Sequence, residues 1–152
     1  MIRTLATTTL FACGALAPIG AMAASIGECG TYTSDIRSIV EPWQDFTRTF
    51  ANGTVRVVLI DTAEPAAAAF HLVVLHPPAD EMDGWGCSVV SDDDGRGFNG
   101  INFPALEAAE DPAGVTLVMP AGSYSGETDT TRPLSLTVTV NLAAGTVTAE
   151  AQ

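Results

Sequence analysis

The chain has 152 residues, of which 18 are acidic and 6 basic, for a formal net charge of −12 at pH 7. A surface of that sign repels phosphate backbones and anionic headgroups, which argues against nucleic acid and against a peripheral membrane role. Its acidity suits solubility or affinity for cations, and net charge alone does not separate the two.

From the N-terminus, Arg3 supplies a positive start, Leu5 to Ala17 an apolar run, and Pro18, Gly20 and Ala21-Met22-Ala23 a small-residue processing site. This is the layout of a secretory signal peptide cleaved after Ala23. Pro18 breaks the run short of the roughly 20 residues that a membrane-crossing helix needs, so no membrane span is expected once residues 1–23 are removed. Cys13 lies too early, behind a bulky Phe11, for lipoprotein processing. What remains, residues 24–152, is expected to form a single β-rich domain, periplasmic or secreted.

Cys29 and Cys87 are then the one cysteine pair in an oxidising compartment, and a disulfide between them is expected, pinning the new N-terminus to the body. No CxxC and no neighbouring basic residue marks either as a redox thiol. Ser34 to Val40 reads as one or two helical turns, capped by Ser34 and stopped by Pro42. Asp45 to Phe50 pairs with Val55 to Ile60 through the turn signal Asn52-Gly53. Val55 to Ile60 and Phe70 to Leu75 are apolar at nearly every residue, as strands covered on both faces must be. Further strands are expected at Gly86 to Ser91, Ile101 to Phe103 and Val115 to Pro120, the last preceded by the turn Asp111-Pro112-Ala113-Gly114. Pro104 to Glu110 is a second helix candidate, and Gly122 to Arg132 a polar loop. From Leu134 to Leu142 leucine and valine alternate with Ser, Thr and Asn, and a hairpin returns through Thr146 to Glu150. Such a chain is all-β: an antiparallel sandwich or barrel of about seven or eight short strands.

Candidate chemistry is sparse. His71 and His76, five apart on a strand, project from opposite faces and do not form a zinc pair. His76, beside Asp80, Glu81 and Asp83, reads as a surface histidine at an acidic loop. No Gly-x-Ser-x-Gly elbow or Cys/His signature is present. A small secreted hydrolase would need His71 or His76 beside a serine or a carboxylate in a pocket. The stretch SDDDGRGFNG, residues 91–100, poses the sharper question. Asp92, Asp94 and Asn99 offer oxygen ligands for calcium, with Gly95 permitting the turn. The EF-hand spacing fails, however, and no glycine-rich repeat is present. The favoured reading of the same residues is a hairpin connection in which aspartates and glycines supply turn geometry and Phe98 folds back onto the core. Trp43 and Trp85 read as core or edge anchors.

The segments NGTVRVVLIDTAEPA (52–66), GFNGINF (97–103) and the turn DPAG (111–114) resemble a family of small exported bacterial proteins of unknown function. The resemblance spans nearly the whole chain after the signal peptide and implies a compact secreted β domain without transferable catalytic residues. The reading is therefore a secreted or periplasmic, non-enzymatic binding or envelope-associated domain with a protein or small-molecule partner. A hydrolase and a calcium-stabilised adhesion-like domain are the contending classes, with calcium the one candidate cofactor.

Overall fold

Strict alternation from Leu134 to Val140 puts Leu134, Leu136, Val138 and Val140 on one buried face of a long strand, with the intervening residues turned outward. The same logic builds most of the chain. The computed structural model describes residues 22–64, 68–78 and 84–152, apart from the side chains of Met22, Ala23 and Asp94. The expected leader up to residue 21, and Asp80, Glu81 and Asp83 beside His76, lie outside the described residues.

In chain order the strands are β1 (Met22–Ala23), β2 (Ser25–Glu28), β3 (Thr47–Phe50), β4 (Val55–Asp61), β5 (Phe70–His76) and β6 (Gly86–Ser91). There follow β7 (Gly100–Ile101), β8 (Glu107–Asp111), β9 (Gly114–Ser125), β10 (Thr130–Asn141) and β11 (Thr146–Ala151). They form two antiparallel sheets. One runs β1-β11-β10-β9-β7, with β8 also paired to β9; the other runs β2-β6-β5-β4-β3. Their inner faces share one core, to which Val57, Leu59, Leu72 and Val74 contribute from the five-stranded sheet and Leu117, Met119, Leu136 and Val138 from the other. The architecture is an all-β sandwich.

The five-stranded sheet is apolar on its outer face too. Ile60, Val73 and Val89 make a second small core there, with Val58, Leu75, Ile39 and the two cysteines packed against it. This explains the unbroken apolar runs of β4 and β5: alternate residues serve different cores. The cover is the segment after β2, folded as two single 3-10 turns, Tyr32–Ser34 and Ile36–Ser38. Asp35 caps the second turn by accepting a hydrogen bond from the backbone of Arg37 and holds the Arg37 guanidinium as well, which lowers its carboxyl pKa to about 2. At one end the Cys29–Cys87 disulfide ties this strap to β6, with Cα atoms 5.7 Å apart. At the other, Ile39 bridges to Ile60 and the Val40 amide donates to the Leu59 carbonyl.

Several local expectations are corrected. The turn cap is Asp35, not Ser34. Pro104 to Glu110 is no helix: a 3-10 turn at Phe103–Ala105 leads into β8, because Phe103 is drawn fully into the core and the chain beyond can pair along β9. Nor is Gly122 to Arg132 a loop. β9 and β10 stay paired from Pro133↔Gly122 out to Thr130↔Ser125, since backbone hydrogen bonds extend the ribbon past the core, where no side-chain alternation advertises it. Finally, residues 92–99 do not close a hairpin. β6 and β7 belong to different sheets, so the stretch is a crossover between them.

Candidate functional site

The crossover is held at nearly every step. Ser25 Oγ donates to the Asp92 carbonyl at 2.7 Å and accepts the Gly95 amide at 3.1 Å, fixing the turn onto β2. Gly95 has φ +76°, and a Cβ on Gly97 would lie 2.1 Å from the Ala68 carbonyl oxygen, so both positions demand glycine. Phe98 exchanges backbone hydrogen bonds with Phe70 at the head of β5, and its side chain is fully buried, as the sequence implies. The Asn99 amide then reaches the Gly122 carbonyl on β9. With the chain so constrained, Asp92 is turned inward and is only 7% exposed.

His71 lines one cavity with it. On β5 it alternates onto the outer face with Val73 and Leu75, directly opposite Ile60 of β4, and it is 2% exposed. Its Nδ1 lies 2.8 Å from Ser91 Oγ of β6. Burial pushes its pKa below the usual histidine value, so the ring is neutral at pH 7. Nε2 has no hydrogen-bond partner among the described residues, where no partnerless side-chain nitrogen or oxygen is sealed from solvent. The residue lines a cavity of about 370 Å³.

Asp92, Glu64, Arg96, Tyr32 and Tyr124 line the same cavity. The Asp92 carboxylate has no hydrogen bond or ion pair with any described residue. Tyr124 arrives from the ribbon end of β9. Its hydroxyl donates to Asp129 Oδ1 at 2.9 Å, which raises its pKa and leaves its ring for the cavity. Tyr32, 67% exposed, also lines a second, larger cavity of about 670 Å³ between the strap and the outer sheet face. Apolar side chains dominate that groove: Ile36, Ile39, Val58, Ile60, Val73 and Leu75. Ile36 on its rim is 79% exposed. The two spaces meet at Tyr32, and Ile60 in the groove faces His71 in the cavity.

The other sequence candidates fall elsewhere. His76 is on the inner face and buried, not at the surface; its Nδ1 donates to the Pro77 carbonyl at 2.8 Å and its Nε2 hydrogen-bonds Ser88 Oγ at 3.0 Å. Asn99 donates to Thr131 Oγ1 and lines a different cavity, beside Ile101 and Pro120, so it is not brought to Asp92. The side chain of Asp94 lies outside the description. Among the described residues no group of three or more His, Cys, Asp and Glu is arranged to hold a metal ion. Trp43 and Trp85 are half exposed, and Arg56 stacks on Trp85 at 4.6 Å. Both histidines do meet a serine, the arrangement that a hydrolase requires. Ser91, however, is buried and contributes nothing to the cavity wall, so its hydroxyl orients the ring instead of facing a substrate.

Comparison with protein-family models, curated proteins and solved structures finds no match. What the site does must come from its own residues.

Proposed function

We propose that this chain is an exported, non-enzymatic binding domain of the small secreted bacterial type it resembles, taking a small amphipathic ligand on the outer face of its five-stranded sheet. The observation that carries this reading is the junction at Tyr32 of an apolar groove and a polar cavity. Small-molecule sites are concave and mostly apolar, with a few polar groups that fix orientation. Here the groove accepts an apolar body, and Asp92, His71 and Glu64 await its polar end.

A hydrolase is the second reading, favoured by the contact between His71 and Ser91. It ranks second because the hydroxyl is buried away from the cavity and meets Nδ1, on the ring side turned from it. The test is a fluorescence titration with an environment-sensitive apolar dye. Binding that weakens in Ile36→Glu, while the thermal midpoint holds because Ile36 is exposed, supports the groove. Equal binding by the variant, or none by either protein, refutes it.

A further inference from the structure

Among the groups that face the cavity, two are at least nine-tenths buried, polar and without a partner at the atoms concerned: the Asp92 carboxylate and His71 Nε2. Neither is sealed from solvent, and a carboxylate so enclosed gains from a charged donor. The chain holds few candidates: of its 6 basic side chains Arg3 falls in the leader expected to be removed, and the undescribed stretches 65–67 and 79–83 contain no Lys, Arg or His. Arg37 is committed to Asp35, Arg48 and Arg56 lie over Phe103 and Trp85, and Arg132 is engaged. Arg96 lines the same cavity but is exposed and makes no ion pair with Asp92. Among the described residues none gives Asp92 a counter-charge, which leaves the carboxylate open to one from outside the chain.

Resting on the binding reading above, we infer that the ligand is an organic cation: a primary ammonium group on an apolar stem, its head between Asp92 and His71 and its stem in the groove beyond Tyr32. The chemistry of the wall agrees at each point. Asp92 accepts one N–H as a charge-assisted bond. With its own proton on Nδ1 toward Ser91, His71 accepts a second at Nε2. Glu64 adds negative charge, and Tyr32 and Tyr124 on the same wall bring aromatic rings, a side-chain type that attracts cations. Against this stands Arg96, the one positive group on the wall, which would favour an anion. Its exposure lets water screen it, whereas the buried Asp92 is screened far less. The acidity of the whole chain draws cations to the site as well.

The test is calorimetric titration of the purified protein at pH 7.5 and low salt with n-octylamine, n-octanol and octanoate, and of Asp92→Asn with the amine and the alcohol. Octylamine should bind at least about tenfold more tightly than octanol, an advantage that added salt erodes and Asp92→Asn abolishes. Comparison of the three probes on unaltered protein keeps the inference open to refutation even if the variant fails to fold. Equal binding of amine and alcohol overturns the ammonium inference while leaving the apolar groove in place. Tighter octanoate overturns it in favour of an anion held by Arg96. Displacement of octylamine by millimolar calcium overturns it in favour of a metal at Asp92. Failure of all three probes overturns both this inference and the binding reading.

Discussion

Replacing Cys29 and Cys87 by serine together should remove a large part of the protein's stability. The bond spans a sequence separation of 58 residues. On the chain-entropy model, closing such a loop restricts the unfolded chain by about 4 kcal/mol. The folded protein loses little in compensation. β2 remains paired to β6 from Ser25↔Ser91 to Glu28↔Ser88, and the far end of the strap keeps its bridge at Ile39. A domain of this size is stable by roughly 5–15 kcal/mol, so about a quarter or more of the margin is at stake. The melting temperature should fall by roughly 10–20 °C. Guanidinium unfolding, followed by the fluorescence of Trp43 and Trp85, measures the change, and a larger m-value should accompany it because the uncrosslinked chain exposes more surface. Hydrogen exchange should also accelerate selectively between Tyr32 and Ser38, where the strap has lost its nearer anchor. A loss below about 1 kcal/mol with an unchanged m-value would show that loop closure is not how the bond stabilises the protein.

Two further outcomes follow from the site. His71 has a depressed pKa in the folded state, so the unfolded chain takes up its proton first as pH falls. Stability is complete above about pH 6.5 and declines below it, by up to about 1.4 kcal/mol per pH unit, until the folded ring also protonates. The groups facing the ring are Ser91 and, across the cavity, Asp92, Glu64, Arg96, Tyr32 and Tyr124. Chemical denaturation of His71→Gln beside the unaltered protein from pH 7.5 to 5 isolates this slope; identical profiles would contradict the assignment to burial. Millimolar calcium, compared with chelator, should leave the thermal midpoint unchanged, because Asn99 is bonded to Thr131 in another cavity and is not available beside Asp92. A rise of several degrees would be the linkage of an ion to the folded state and would mean that the crossover rearranges around it.

The sandwich was legible because its strands advertise themselves: period-two alternation in β10 and β11, and unbroken apolar runs in β4 and β5 that proved to serve two cores. The disulfide was legible from cysteine count and compartment. Features stabilised by backbone pairing alone were not, so the outer ribbon of β9 and β10 read as loop and β8 as helix. The site was half legible. Asp92 and His71 stood out as residue types, but the groups gathered around them come from five separate stretches of chain: Tyr32, Glu64, His71, Asp92 to Arg96 and Tyr124. No spacing in a sequence encodes that convergence. Only the parity of β5 could have helped, since a histidine in register with Val73 and Leu75, and not with Leu72 and Val74, belongs to the outer face.

The question posed by SDDDGRGFNG therefore divides by residue. Gly95, Gly97 and Phe98 exist to carry the chain from one sheet to the other: the first for its positive φ, the second for its approach to Ala68, the third as an anchor in the core. Those three constraints leave the crossover little freedom, and the position just after β6 is forced inward against the outer face of the sheet. The residue there is only 7% exposed. A carboxylate there makes no hydrogen bond or ion pair with any described residue. Nothing in the turn requires it, because the contact to Ser25 uses the Asp92 backbone carbonyl and not its side chain. The acid at 92 is thus not used by the turn that carries it, which is the observation behind the organic-cation proposal.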